Sequence, residues 1–344
     1  MPTVRLEPSG IEFPVSVDED ILTAALRHRV ALRYGCRQGK CSSCKQWLVE
    51  GDADDSRASV YAMLREEREN GAILLCCAQP RTDLVIQIDR AGKEEELPSL
   101  EPPAKYTAVV VEQRSLTATL IELRLQLDRP MMFRAGQYTE LLLAESGLRR
   151  TYSIVNPPSA GAELTFCIKR VPDGMFSGRL SDLAPGAPMQ LEGPFGTLFL
   201  RETSRPVIAV AIGSGIAPIL SMLTDAAERS FDYPIRFYYG AAHADDLVYL
   251  NRLSRLQERL TDFQFIPCLS RGDAHGVANG RQGQVARVIA ADLRDASNCD
   301  AYLCGAPSMC DTVAELLEWK GLPANRIHTD RFYAAAERFP APAH

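Results

Sequence analysis

The placement of cysteine constrains this chain more than any other feature. Of its ten cysteines, Cys36, Cys41, Cys44, Cys76 and Cys77 crowd the first quarter of the 344 residues, while Cys167, Cys268, Cys299, Cys304 and Cys310 lie far apart. Crowded thiols point to cross-links or a metal, and dispersed ones mostly fill cores. The N-terminus, MPTVRLEPSGIEFPVSVDED, has early acids and no apolar stretch of a secretory signal. A soluble, cytoplasmic protein is therefore expected, in a compartment where disulfides are rare, and the crowded thiols are read as metal ligands. No membrane is expected as a partner, because the most apolar run, Val207 to Ile212, is stopped by Gly213-Ser214-Gly215 and is much too short to span a bilayer. Nucleic acid is not expected either, since the formal net charge is −6 and no Lys/Arg-rich block stands out.

Within Gly35-Cys36-Arg37-Gln38-Gly39-Lys40-Cys41-Ser42-Ser43-Cys44 the thiols follow a C-x4-C-x2-C spacing. A short loop delivers three thiolates to one cluster only if its backbone curls tightly. Gly35 and Gly39 allow unusual dihedrals, and Ser42 and Ser43 are small enough to hydrogen-bond sulfur. The segment resembles the plant-type ferredoxins, which hold a [2Fe–2S] cluster. A fourth ligand must come from afar, and Leu74-Leu75-Cys76-Cys77-Ala78-Gln79-Pro80 offers two thiols. The resemblance implies Cys76, which meets the family's C-x3-P ending with Pro80, so the implied ligand set is Cys36, Cys41, Cys44 and Cys76. A zinc site and reduced core thiols are the alternatives; zinc sites usually show two C-x2-C pairs, and one is present.

The pattern along the chain separates three units. Residues 1–92 open with strand-like runs at Thr3–Leu6 and Glu12–Val17, then a helix over Asp20–Val30 capped by Asp18 or Asp20. A strand at Gln46–Val49, a helix around Ala58–Glu69 and a strand at Leu84–Ile88 complete a compact α+β unit, a β-grasp by resemblance. Residues 93–104, charged and proline-rich, read as a linker. From 105 to 202, runs at Thr107–Glu112, Thr119–Leu127, Tyr138–Leu143, Leu164–Lys169 and Met189–Glu192 between turns suggest an antiparallel β-barrel. From 203 to 344, Val207–Ile212, Ile235–Tyr239, Gln264–Pro267 and Ala301–Leu303 alternate with helical stretches at Ile219–Arg229, Asp246–Arg259, Val285–Ala290 and Met309–Trp319, the rhythm of an α/β parallel sheet.

Arg150-Thr151-Tyr152-Ser153, at the start of a strand-like stretch, and Ile168-Lys169, followed by Gly174-Met175-Phe176-Ser177, resemble in order and spacing the FAD-binding segments of the ferredoxin–NADP+ reductase superfamily. The resemblance implies that Arg150 pairs with the FAD pyrophosphate, that Tyr152 packs on the isoalloxazine face and that Ser153 hydrogen-bonds near N5. A guanidinium fork suits phosphate oxygens. It also implies that Gly174 to Ser177 open a helix whose amides meet the pyrophosphate.

Gly213-Ser214-Gly215-Ile216-Ala217-Pro218, between a buried strand and a helix, forms a phosphate cradle, although Pro218 replaces the third glycine of the ordinary dinucleotide fingerprint. The same superfamily carries G-[ST]-G-[IL]-A-P here and C-G-x-P later, matched by Cys304-Gly305-Ala306-Pro307. By that resemblance Cys304 helps place the nicotinamide for hydride transfer; read by itself, it is a buried strand-end thiol. Asp330-Arg331-Phe332-Tyr333 resembles the terminal acidic–x–aromatic segment, in which Phe332 covers the flavin until nicotinamide displaces it. NADH is favoured over NADPH because Ala241-Ala242-His243-Ala244-Asp245-Asp246 has no cation for a 2′-phosphate, although Ser270-Arg271 resembles a phosphate-holding pair.

The order of the three units is similar to the reductase components of bacterial oxygenases, including those of methane monooxygenase and phenol hydroxylase. That resemblance implies a relay from NADH through FAD to [2Fe–2S] and on to a terminal oxygenase or hydroxylase. A diiron monooxygenase is favoured as that partner over a Rieske-type dioxygenase. A stand-alone diaphorase-like flavin reductase and a non-enzymatic carrier are the rivals. The acidic loop Glu50–Asp55 reads more simply as a solvated loop than as a docking face, and Arg65–Glu69 as a solvated helix face.

Overall fold

The computed structural model describes residues 1–88, 101–143, 147–171, 174–180, 183–274 and 276–333. Most of the expected linker, and the tail from Ala334 to His344, lie outside the described residues; Ala104, read as linker, opens the strand Ala104–Ser115.

The N-terminal unit is a mixed five-stranded sheet ordered Ile11–Pro14, Thr3–Glu7, Leu84–Gln87, Lys45–Glu50, Ala72–Leu74. Thr3–Glu7 and Leu84–Gln87 run parallel and the other pairs antiparallel. Helix Ile21–Arg27 buries Ile21, Leu22, Ala24, Ala25 and Leu26 against it. Asp20 is the cap: its carboxylate accepts the Thr23 N–H at 2.9 Å, a contact worth about 1 kcal/mol. The helix expected over Ala58–Glu69 is confined to Arg65–Glu69. The preceding residues are held as turns by the cysteine loop, since Ser59 N–H donates to Gly39 O at 3.0 Å and the Ser42 hydroxyl to Ala62 O.

The second unit is an antiparallel sheet ordered Leu148–Ser153, Tyr138–Leu143, Pro188–Phe195, Ala104–Ser115, Leu120–Leu127, Glu163–Lys169. A single bridge, Ile154 to Phe166, brings its two edges together into a barrel-like form. Inward residues such as Leu123, Leu125, Leu141, Leu164 and Phe166 are fully buried, as strands packed on one face require. Arg150–Ser153 ends its strand rather than opening it.

The third sheet is wholly parallel, ordered Arg281–Gln282, Phe263–Leu269, Ile235–Ala241, Val207–Ile212, Asp300–Gly305, Ile327–Arg331. Helices Ile216–Glu228 and Leu250–Arg259 contribute to the core on one face, and Val285–Asp292 and Pro307–Trp319 to that on the other. Burial on both faces explains why the central strands are continuous apolar runs rather than alternating ones. Val207–Ile212 lies between strands that follow it in opposite directions, so the crevice at its carboxyl end is where such sheets bind ligands. The edge strand Ile327–Arg331 was not expected: its sequence, IHTDR, lacks an apolar run. No helix among the described residues is long and apolar enough to cross a membrane.

Candidate functional site

The cysteine loop turns sharply, with φ of 53°, 69° and 59° at Arg37, Gly39 and Ser42. A Cβ on Gly39 would stand 2.6 Å from Cys77 Sγ and 3.1 Å from Ala58 Cα, so only glycine fits there. Gly35 serves by close approach instead: a Cβ there would meet Cys41 Sγ at 3.2 Å. Main-chain amides turn toward sulfur, Cys36 N–H to Cys41 Sγ and Gln38 N–H to Cys36 Sγ, both at 3.3 Å. The thiols stand in two pairs. The Cys36 thiol holds Cys41 below its ordinary value, and the Cys44 thiol does the same to Cys76; burial opposes both, and Cys36 and Cys44 rise in return. Among the described residues no three His, Cys, Asp or Glu side chains gather into one mononuclear group. Two pairs of thiols with inward amides are a donor set that fits a two-iron cluster. Cys77 Sγ lies 3.8 Å from Cys76 Sγ, and its thiol is raised, first by Cys76. Ser43 helps lower Cys41, whereas Ser42 turns away to Ala62 O.

This loop packs on the end of the barrel through contacts that sequence reasoning missed. Tyr138 donates its hydroxyl hydrogen to Gly35 O at 2.7 Å, and Gly196 N–H donates to the Tyr34 hydroxyl at 2.8 Å. Thr197 Oγ1 donates to Tyr34 O at 3.3 Å, and the Arg37 guanidinium sits 3.7 Å from the centroid of the Phe195 ring. Burial pushes Tyr138 well up and Tyr34 up to about 12, so both stay neutral. In the third unit, burial raises the Asp330 carboxyl to about 7, with a smaller contribution in the same direction from Cys41.

On the barrel, Ser153 is buried and stands opposite Tyr138 in the strand register, with Tyr152 opposite Thr139, Thr151 opposite Glu140 and Arg150 opposite Leu141. The Tyr152 and Phe176 rings are 5.6 Å apart. Arg150 is partly exposed and donates from Nη1 to Arg149 O at 2.7 Å. The Ile168 side chain points into the barrel core, leaving only its main chain for a ligand. Gly174 is crowded, since a Cβ would lie 2.7 Å from Ser177 Oγ, which accepts the Val171 N–H at 3.0 Å. The described helix, Ser177–Leu180, is a single turn, so its dipole is small. Met175 faces solvent at 57% exposure. An aromatic face, a cation and a tight glycine turn fit the ring and pyrophosphate of FAD.

A cavity of about 720 Å³ opens at the carboxyl ends of the parallel strands, a size usual for small-molecule sites. Its walls include Gly213, Ser214, Gly305, Asp246, Ser270 and Phe332, and from the barrel Thr119, Leu120 and Lys169. The cradle is locked to the neighbouring strand, because a Cβ on Gly215 would lie 2.3 Å from Cys304 O. Gly305 has φ of 140°, and a Cβ there would meet Ile212 Cγ1 at 2.7 Å. Ile216 and Pro218 are buried in the helix–sheet core rather than in the cavity wall, and Pro307 opens its helix. Cys304 is fully buried behind that wall, with its thiol pushed well up by burial. Phe332 is anchored beside it, its N–H donating to Gly305 O at 2.8 Å. The structure thus brings Gly213, Ser214, Gly305, Lys169 and Phe332 to one cavity and leaves Arg150, Tyr152 and Ser153 on the barrel side of it.

Three family descriptions match the chain in sequence: 2Fe-2S iron-sulfur cluster binding domain over residues 4–81, oxidoreductase FAD-binding domain over 107–200 and oxidoreductase NAD-binding domain over 209–315. The chain is 34% identical over 339 residues to the reductase component of propane 2-monooxygenase from Gordonia sp. (strain TY-5), covering 97% of each chain. It is 34% identical over 337 residues to the reductase component of phenol 2-monooxygenase from Pseudomonas sp. (strain CF600), covering 97% of this chain and 95% of that one. Among solved structures, an Amycolatopsis cytochrome P450 reductase superimposes with a TM-score of 0.86 at 27% identity, over 96% of this chain and 99% of that one. With the paired thiols, the flavin strand and the nucleotide cavity in one polypeptide, this chain belongs to the oxygenase reductases of the ferredoxin–NADP+ reductase superfamily, oxidoreductases that bind [2Fe–2S], FAD and NAD.

Proposed function

We propose that the chain moves electrons from NADH to FAD, then to a cluster held by Cys36, Cys41, Cys44 and Cys76, and finally to the terminal component of a cytoplasmic monooxygenase. The observation that carries this reading is the docking of the cysteine loop on the end of the barrel, where Tyr138 donates its hydroxyl hydrogen to Gly35 O at 2.7 Å. When bound, FAD accepts the two electrons of a hydride and the cluster passes them on singly. The units divide within 93–104 and near residue 203.

The residues have distinct tasks in this reading. Arg150 holds the pyrophosphate with Gly174 and Ser177, Tyr152 covers the ring, and Ser153 supplies a hydrogen bond near N5. Gly213, Ser214 and Gly215 receive the nucleotide phosphates at the helix start. Phe332 closes the nicotinamide position, and its displacement brings the substrate ring over the wall formed by Gly305, with Cys304 packed behind it. NADH is favoured because Asp246 lines the cavity, and a carboxylate repels a 2′-phosphate. A diiron hydroxylase is favoured as acceptor because both curated relatives above are named for monooxygenases and the run from Cys44 to Gly51 is similar to that branch.

Anaerobic titration of the holoprotein with NADH and with NADPH, followed by absorbance and EPR, tests the relay. The expected result is flavin bleaching with a rhombic reduced-cluster signal, at lower NADH than NADPH. Flavin bleaching without a cluster signal in iron-replete protein would reduce the function to that of a flavin reductase. Coupling to purified diiron and Rieske oxygenases tests the choice of partner.

A further inference from the structure

We propose that Tyr138 is the bridge over which electrons cross from the flavin side of the barrel to the cluster loop. The inference rests on the reading above for Ser153 and Cys36 and goes beyond it in naming the connection. Tyr138 stands directly across from Ser153 in the antiparallel register, where opposed side chains are roughly 5 Å apart. Its hydroxyl donates to Gly35 O at 2.7 Å, and Gly35 is joined by a peptide bond to Cys36. One buried side chain therefore spans from the residue assigned to flavin N5 to the residue preceding the first cluster ligand. The gaps along that line are closed by a strand pair, a ring, a hydrogen bond and a peptide.

The surroundings hold the ring in that line. It is only 5% exposed and packs on Phe195 with ring centroids 5.8 Å apart. Gly196 makes room for it: with φ of 97°, a Cβ there would lie 2.9 Å from Tyr138 Cδ1. Tyr34 performs a different task. It accepts the Gly196 N–H at 2.8 Å and so fastens the two units together, but its bonds lead to the barrel turn at Gly196 and Thr197 and not to the Ser153 pair. In the crossing no bond forms or breaks: one electron leaves the reduced flavin, one arrives on an oxidised iron, and Tyr138 keeps its hydroxyl proton.

The experiment compares Tyr138→Phe, Tyr138→Leu and Tyr34→Phe in the holoprotein by anaerobic stopped flow with NADH, resolving flavin reduction from cluster reduction. Hydrogen exchange over residues 33–37 reads the docking of the loop without turnover. Dithionite-reduced EPR counts assembled cluster. Flavin reduction is expected at the parental rate in all three. Cluster reduction should slow in Tyr138→Phe, which loses the hydrogen bond to Gly35 O, and slow further in Tyr138→Leu, which loses the ring as well. Tyr34→Phe should raise exchange as much as Tyr138→Phe yet leave cluster reduction near the parental rate. Equal slowing in Tyr34→Phe and Tyr138→Phe would assign Tyr138 to docking alone and overturn the bridge, as would parental rates in both Tyr138 variants. A parent protein with no reducible cluster would instead overturn the underlying relay, a separate and visible failure.

Discussion

Cys76 and Cys304 are hidden to nearly the same degree, 3% and 0% exposed, yet their thiols are driven in opposite directions. Cys76 is pulled down because the Cys44 and Cys77 thiols and the Gly39 backbone direct hydrogen bonds at its sulfur, against the effect of burial. Cys304 has only burial and the charges of Asp330 and Cys310 around it, and all of these push it up. Burial by itself therefore does not set the direction in which a thiol is driven; the polar groups aimed at the sulfur do. In the N-terminal loop the partner thiols lower Cys41 and Cys76 and are themselves raised. The sheet end keeps a neutral, compact side chain beside the nucleotide cavity.

The sharpest break of that contrast would come from Cys76→Ser. It should abolish the reduced-cluster EPR signal while NADH still bleaches the flavin, and Cys77→Ala should keep the signal; the reverse pattern would exchange their assignments. Next in size is Gly215→Ala, whose new methyl group meets the Cys304 carbonyl at 2.3 Å. Overpacking of this kind costs about 1–3 kcal/mol, and misplacing the cradle should slow flavin reduction about a hundredfold, read by thermal melting and stopped flow respectively. Cys304→Ala should lower the rate of flavin reduction about tenfold with less effect on NADH affinity. Because the native thiol is raised, the parental rate should show no thiolate ionisation near neutral pH.

A smaller effect tests burial as the common cause. His328 stacks on Tyr302 with ring centroids 4.9 Å apart, and its Nε2 is buried without a hydrogen-bond partner among the described residues. Burial first, and then the Arg201, Arg33 and Arg205 charges, lower it to about 3. The unfolded chain takes up this proton near pH 6.5 while the folded one does not. Stability from this group is complete above that pH and is lost as pH falls toward about 3. Melting of His328→Phe should be less sensitive to acid across this window than that of the parent, and equal sensitivity would show that the imidazole is not the group responsible.

The parts that local order along the chain made legible are those whose chemistry is local. Gly39, between Cys36 and Cys41, foretold a curled loop because such curvature is available to few residues, and it indeed sits at φ of 69°. Apolar runs such as Val207–Ile212 foretold buried parallel strands because a sheet covered on both faces has no polar side. Helix propensity misled at residues 58–64, where bonds to Gly39 and from Ser42 outweigh a short helix. The edge strand Ile327–Arg331 was illegible because its half-buried, polar residues are held by pairing with Asp300–Gly305, not by their own pattern.

The sequence by itself determined the loop that carries the thiols, the order of the three units, the barrel and parallel-sheet architectures and the glycine turns of the cradle, since each follows from short spacings and periodicities. Only the tertiary structure decided which side of Ile168, Ile216 and Pro218 faces a core, that Cys304 lies behind the cavity wall, and that Tyr138 meets Gly35 across 103 residues of chain. Those outcomes depend on how folded surfaces fit against one another. A hydrogen bond between distant residues leaves no period or spacing in the chain from which it could be read.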